Sequence, residues 1–198
     1  MSMGDTKSQP ALGFLTILEH DQLGYVGGYL ILNSAGRPLE FHCTAPVKPN
    51  RAQQILFGPT LESYLYGEQI GQTLLAKSSV ELLAVCTDVE RALCVRDYVA
   101  TPVALVVAEA ADNEGLSGNA ATATALAASW RVDAAHGSQP HLHEFTIGRN
   151  RLAVPHHHDD DRRRIAERLD SLISFDLAEP FERIREAVEE AHKGSRAA

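Results

Sequence analysis

The chain has 198 residues, of which 44% are hydrophobic and 22% are charged. These values are typical of a globular protein, and the length is enough for one domain with a sizeable core. The 18 basic and 26 acidic residues give a formal net charge of −8, which disfavours nucleic acid as a partner. Three cysteines are too few for a disulfide framework, and no apolar run is long enough to span a bilayer. We therefore predict a cytoplasmic protein with no membrane partner.

The first part of the chain predicts an antiparallel meander of three strands. Buried strands are expected over residues 12–18 and 25–32, and the segment after the second strand has the composition of a hairpin turn. Residues 39–44 alternate between apolar and polar side chains, which is typical of a half-buried strand. Gly27 and Gly28 indicate a bulge or a close backbone approach in the second strand.

The next part predicts the order helix, strand, helix, strand. Asn50 can cap a helix that runs to about residue 57, and a second helical stretch is expected over 59–77. A strand over 80–86 is followed by a short helix, which Asp88 can cap, and then by a buried strand over 103–108. Because a helix separates these two strands, we expect them to be parallel.

The remaining chain predicts an insertion followed by a helical end. We divide the sequence into a flexible tail (1–10), an α/β core (11–109), a flexible low-complexity insertion (110–139), and a return strand with C-terminal helices of the same domain (140–198). The last two helices begin near Asp159 and Pro180. The predicted fold class is α/β (α+β), with a mixed sheet in which the meander leads into a β-α-β unit, and a C-terminal helical pair.

Histidines are concentrated around the predicted return strand. His141 and His143 lie two residues apart and share a face of that strand, and His156 begins a run of three histidines. With Asp161 as a further candidate ligand, these side chains could form a zinc or iron site. The competing interpretation is a polar strand face next to a solvated loop, because consecutive histidines cannot all point at one ion.

The three cysteines are interpreted as core residues. Cys43, Cys86 and Cys94 lie within or beside apolar segments, and none has a sequence context that indicates a neighbouring base or a lowered thiol pKa. The sequence also has no Walker-type phosphate loop, no GxSxG, no HExxH and no CxxC. It therefore offers no complete catalytic motif of these types.

The predicted element order resembles the ribonuclease H-like fold. In that family, acids from the first strand, the first helix and the end of the fourth strand converge on two metal ions. By this resemblance, Asp88 is the acid after the fourth strand, and Glu62 or Glu68 is the helix acid. The first strand has no internal aspartate, so only Glu19 or Asp21, which follow it, could supply its ligand.

The end of the chain extends this resemblance. The family also has a histidine-bearing loop and a further acid on a C-terminal helix. Residues 156–161 resemble that loop and its acid, which makes Asp161 a candidate for the last metal ligand. Two-metal phosphoryl chemistry needs such a cluster of carboxylates because hard cations take oxygen ligands.

Two functions are therefore open. We favour a non-enzymatic interaction or scaffold subunit with protein partners, which predicts an exposed apolar patch on the sheet edge or the C-terminal helices. The alternative, implied by the resemblance, is a metal-dependent phosphodiester hydrolase (a nuclease) with a degenerate site. Mg²⁺ or Zn²⁺ is the candidate cofactor. The sequence does not define the oligomeric state.

Overall fold

Seven strands form one mixed sheet within the part of the chain that the computed structural model describes, which is residues 10–20, 23–107, 141–169 and 175–196. The predicted tail up to residue 9, the insertion over 110–139 and Asp21 lie outside the described residues. The sheet has the order β3-β2-β1-β4-β5-β7-β6. The strands are β1 (Ala11–His20), β2 (Gly24–Asn33), β3 (Pro38–Cys43), β4 (Leu82–Thr87), β5 (Val103–Val107), β6 (Leu142–Ile147) and β7 (Asn150–Pro155).

Helical segments connect and cover these strands. After helix α1, a 3₁₀ turn leads into a π-helical segment that ends in α2, and further 3₁₀ segments follow β4 and β7. The helical segments are α1 (Arg51–Phe57), the 3₁₀ turn Gly58–Thr60, the π-helical segment Ser63–Gln72, α2 (Thr73–Leu75), the 3₁₀ helix Glu90–Asp97, the 3₁₀ turn His156–His158, α3 (Asp159–Leu169) and α4 (Glu179–Arg196). Among the described residues, no helix has the length and hydropathy that crossing a bilayer requires.

The predicted fold class is confirmed. The first three strands form the antiparallel meander, and β1 pairs in parallel with β4, so that Leu15 lies opposite Thr87. Strands β4 and β5 are also parallel, as expected for two strands joined through a helix. The ends of β1 and β4 therefore meet at one edge of the sheet.

Strand β7 was not predicted from the sequence. It lies between β5 and β6 and is antiparallel to both, so the predicted return strand β6 becomes an edge strand. The amide of Asn150, at the start of β7, donates to the Phe175 carbonyl and accepts from the Leu177 backbone N–H. Strand β7 therefore ties the segment before α4 to the sheet and delivers the three consecutive histidines to its end.

The core consists of two layers, one on each face of the sheet. Helices α3 and α4 cover one face, and the π-helical segment and the 3₁₀ helix 90–97 cover the other. The layer under α3 and α4 is formed mainly by Leu12, Phe14, Leu30, Cys86, Leu152, Ile165, Phe181, Ile184 and Val188. The opposite layer is formed mainly by Leu15, Ile17, Tyr29, Ile31, Leu65, Ile70, Leu74, Val85 and Val95.

The two adjacent glycines of β2 allow both layers to approach the sheet closely. A Cβ atom on Gly27 would lie 2.3 Å from Ile70 Cγ2, and one on Gly28 would lie 2.3 Å from Ile184 Cγ2. Both separations are far below van der Waals contact, so a larger residue would displace a helical segment on one face or the other. The atoms that approach these glycines belong to side chains and not to a backbone, and the strand pairing shows no bulge at either position.

Helix capping matches the prediction at one position and differs at another. Asn50 caps α1, and Gln53 completes a reciprocal capping box. Asp88 was predicted to cap the helix after β4, which is wrong, because the residue before the 3₁₀ helix 90–97 is Val89 and no side chain caps it. Thr87 Oγ1 accepts from the Val89 backbone N–H, and the Asp88 carboxylate binds an arginine instead.

Candidate functional sites

Asp88 follows β4, at the edge where the ribonuclease H-like resemblance places an acid. Its carboxylate accepts a short hydrogen bond from Arg185 Nη2 of helix α4, and the Asp88 side chain is only 16% exposed. The other oxygen, Oδ1, is buried and has no hydrogen-bond partner among the described residues. Arg185 is itself held by Glu182 at 2.8 Å. The C-terminal helix therefore brings a cation, and not a further acid, to Asp88.

Two other acids of the resemblance, Glu62 and Glu19, contact side chains that do not bind Asp88. Glu62 lies 3.5 Å from Arg91, and Glu19 hydrogen-bonds to Tyr25. Burial and then the negative charge of Glu19 raise the pKa of Tyr25 to about 12. No hydrogen bond or ion pair of the described residues joins Asp88 to either of these glutamates. Glu19 and Glu62 therefore share Tyr25 as a neighbour, whereas the partner of Asp88 is Arg185.

Asp161 is buried in an ion pair. It is 1% exposed and accepts two hydrogen bonds from Arg96, from Nε at 2.5 Å and from Nη2 at 3.2 Å, in the bidentate arrangement that arginine favours. Arg164 approaches the same carboxylate at 3.4 Å. The carboxylate of Asp161 is therefore engaged by two guanidinium groups, which leaves little room for a metal ion.

The histidines of β6 and of the following turn separate into two groups. His143 Nδ1 lies 2.7 Å from Asp159 Oδ1, and the rings of His143 and His156 are 3.9 Å apart. The hydrogen bond from His143 lowers the pKa of Asp159, with a smaller contribution from Arg162. His141 is exposed, and its backbone carbonyl accepts from the His156 backbone N–H.

The other two histidines of the run converge on Asp97, at the end of the 3₁₀ helix 90–97. His158 Nε2 lies 3.0 Å from Asp97 Oδ1, and His157 Nε2 lies 3.8 Å from the same oxygen. One ligand atom from each of the three residues falls within 4.8 Å of the others. Asp97 was not a candidate in the sequence because 59 residues separate it from the first of these two histidines. The unpredicted strand β7 brings them together.

A cleft of about 540 Å³ borders this cluster. Asp97 and His157 lie at its wall, together with Cys94, and the pair of Glu62 and Arg91 lies there too. The cleft therefore carries an imidazole, both signs of charge and a thiol.

The cysteines lie in or against the core, as predicted. Cys86 is 1% exposed, and burial raises its thiol pKa to about 12. Burial likewise raises the pKa of Cys94 to about 11. A nucleophilic thiol needs the opposite shift, so neither Cys86 nor Cys94 is poised to react at neutral pH. Cys43 is half-buried on β3 and packs against the layer under α3 and α4.

These features define a mixed α/β protein with polar clusters at the margins of its sheet. No protein family and no curated protein matches the sequence. Among solved structures, the chain is similar to the crystal structure of human endonuclease V (ENDOV), with a TM-score of 0.44 and 11% identity over 94% of this chain and 87% of that one. This degree of likeness assigns neither an activity nor a site to the chain.

Proposed function

We propose that this protein is a non-catalytic interaction domain and that the chain it binds is a second copy of itself. The observation that carries the proposal is the apolar outer edge of the sheet at β3. Leu39 and Phe41 are 46% and 39% exposed there, although both are large apolar side chains on an edge strand. Exposed apolar edge strands are templates for pairing with another chain.

The charges at this edge favour self-association. A protein with a net charge of −8 repels its own copies, so a shared edge must lack unpaired acids. On β3 the one acid, Glu40, is 3.0 Å from His42 and also binds the Ser79 side chain. The hydrogen bond from His42 lowers the pKa of Glu40, followed by that from Ser79. At the opposite edge, Glu144 of β6 is also paired, with Arg151 at 2.7 Å, but β6 carries none of the exposed large apolar side chains of the described residues and is therefore a less favourable surface for strand pairing.

Antiparallel pairing of β3 with β3 would place the same surface on both sides of a two-fold axis, the commonest symmetry of soluble dimers. The exposed residues Ile55 and Leu56 of α1 offer a matched control, since they are 66% and 82% exposed and lie on another element. The experiment is sedimentation of the full-length protein over a range of concentrations, with the double variants Leu39→Lys with Phe41→Lys, and Ile55→Lys with Leu56→Lys.

We expect wild type and the α1 variant to form dimers as concentration rises, and the β3 variant to stay monomeric with an unchanged circular dichroism spectrum. A wild-type protein that sediments as a monomer at every concentration would contradict the proposal. So would a β3 variant that dimerises as well as wild type does.

The non-catalytic part of the proposal is supported by Arg185. A guanidinium is always protonated, so it neutralises Asp88 in the position where a two-metal site would need a free carboxylate. The alternative, a metal-dependent nuclease, is favoured by Oδ1 of Asp88, which is buried and has no hydrogen-bond partner among the described residues.

Melting the full-length protein with millimolar Mg²⁺ or Mn²⁺ separates these two functions, together with incubation with DNA and RNA oligonucleotides. We expect no shift in the melting midpoint and no cleavage, because a ligand stabilises only a folded state that binds it. Metal-dependent cleavage that Asp88→Asn abolishes would establish the nuclease instead.

A further inference from the structure

We propose that Asp97, His157 and His158 bind a transition-metal ion of the zinc type. Their ligand atoms already lie within 4.8 Å of one another. Tetrahedral zinc holds nitrogen and oxygen ligands at about 2.0–2.1 Å, so neighbouring ligand atoms lie about 3.3–3.5 Å apart. The two separations from Asp97 Oδ1, 3.0 Å to His158 and 3.8 Å to His157, bracket that value. The third separation, between the ligand nitrogens of the two histidines, is no more than 4.8 Å, so side-chain rotation would bring all three ligand atoms to one ion.

The donor set selects the kind of ion. Two imidazole nitrogens and one carboxylate suit Zn²⁺, Co²⁺, Ni²⁺ or Fe²⁺, whereas Mg²⁺ and Ca²⁺ prefer oxygen ligands throughout. The site is therefore distinct in its chemistry from the all-carboxylate arrangement that the ribonuclease H-like resemblance implied. It also uses none of the four histidine and aspartate positions that the sequence indicated as ligands.

Two backbone segments position the three candidate ligands, and the ligand side chains themselves do not pack into the core. The two histidines belong to the 3₁₀ turn between β7 and α3, and their ring centroids are 4.3 Å apart. Asp97 closes the 3₁₀ helix 90–97, and the preceding residue, Arg96, is anchored by Asp161 of α3. This buried ion pair fixes the two ligand-bearing segments relative to each other, because α3 follows the histidine turn directly.

The surroundings leave a coordination position open. Asp97 is 53% and His157 is 62% exposed, and both border the 540 Å³ cleft. Three protein ligands with an accessible fourth position are typical of zinc sites that exchange water or bind another ligand. The site would thus hold its ion at the mouth of the cleft, in reach of solvent.

The competing account is a simple hydrogen-bonded ion pair between Asp97 and a protonated His158. The two accounts differ in their response to metal. The experiment uses full-length protein stripped with a chelator and dialysed, then titrated with ZnCl₂ and separately with MgCl₂ by calorimetry at pH 7.5. Co²⁺ replaces Zn²⁺ in a parallel titration because its visible absorption reports nitrogen ligation and coordination number.

We expect one Zn²⁺ per chain, no Mg²⁺ binding, and Co²⁺ bands of a four- or five-coordinate site. His158→Ala and Asp97→Asn should each weaken zinc binding by about tenfold or more, since even outer-shell partners of metal ligands typically cost that much. Both variants should keep the wild-type circular dichroism spectrum, because Asp97→Asn preserves shape and the His158 side chain, although only 21% exposed, belongs to neither core layer.

His143→Ala is the matched control, since His143 belongs to the neighbouring group with His156 and Asp159. It should bind zinc as wild type does. Zinc binding that is lost in His143→Ala and kept in His158→Ala would overturn the assignment and place the ion at β6. Failure of the stripped wild-type protein to bind zinc at all would likewise overturn the proposal.

Discussion

Asp88 precedes the 3₁₀ helix 90–97 and Asp97 ends it, and the two carboxylates bind different kinds of side chain. Asp88 is bound by the guanidinium of Arg185, and Asp97 faces the imidazoles of His157 and His158. A guanidinium keeps its proton at any physiological pH and has no lone pair to offer a metal, whereas a neutral imidazole is a metal ligand. Two carboxylates nine residues apart therefore differ in what they can bind, because their partners differ and because Asp88 is 16% exposed whereas Asp97 is 53% exposed.

The comparison predicts that arginine-held carboxylates contribute to stability and that the histidine-held one does not. The largest effect is expected for Arg96→Met, which removes the partner of the buried Asp161. Removing one member of a buried pair leaves an uncompensated charge and costs about 3–5 kcal/mol. Urea denaturation measures the loss. The control is Arg164→Met, whose 42%-exposed side chain approaches the same carboxylate at 3.4 Å and should cost less than about 1 kcal/mol.

A smaller loss is expected for Arg185→Met. Asp88 is less buried than Asp161 and one of its oxygens already lacks a partner, so the variant should lose about 1–3 kcal/mol. Asp88→Asn in the Arg185→Met background should recover part of this loss, because it removes the unpaired charge. Equal stability of Arg185→Met and wild type in urea would mean that this arginine does not neutralise Asp88 in solution.

A still smaller effect is expected at Asp97, the carboxylate that histidines contact. His157→Ala in metal-free protein should change the free energy of unfolding by no more than about 0.5 kcal/mol. Its side chain is 62% exposed, and such surface pairs contribute little. The same urea series measures this effect. A loss of stability as large as that of Arg185→Met would contradict the prediction that the contacts of Asp97 with histidines contribute less to stability than the ion pair of Asp88.

The smallest effect concerns acid stability at the neighbouring group. The hydrogen bond from His143 lowers the pKa of Asp159 in the folded state, so its contribution is present above the unfolded pKa of about 4 and is lost as pH falls through the folded value. Asp159→Asn should therefore reduce slightly the fall in the urea midpoint between about pH 5 and pH 3. Asp160→Asn, at an 83%-exposed position, should leave the pH profile unchanged.

Much of the sheet could be predicted from local patterns. The continuous apolar runs of β1, β4 and β5 reflect how each of these strands is buried, and this information lies within the strand itself. The alternation along β3 located the strand but not its burial, because Leu39 and Phe41 are 46% and 39% exposed at the edge of the sheet.

The sites were harder to predict because their partners are distant in sequence. Arg185 meets Asp88 across 97 residues, and nothing local to either indicates the other. Strand β7 is short and carries an arginine at its second position, so no strand pattern was recognised there. Without β7, the contact of His157 with Asp97 could not be predicted. The run of three histidines was a weak signal of a site, but no sequence pattern marked Asp97 as the partner of these histidines.

Helix α4 has a consequence for how this chain is made. It packs on β1 and β2, and Phe181 and Ile184 seal the layer that contains Phe14. During synthesis from the N-terminus, the strands can form before α4 is available. The apolar face of the sheet that α4 covers would then stay exposed to solvent until the residues up to 188 have left the ribosome. Nascent chains in that interval are prone to aggregate. Cells that produce this protein would be expected to need chaperone protection late in translation, and a chain shortened before α4 should accumulate as insoluble material.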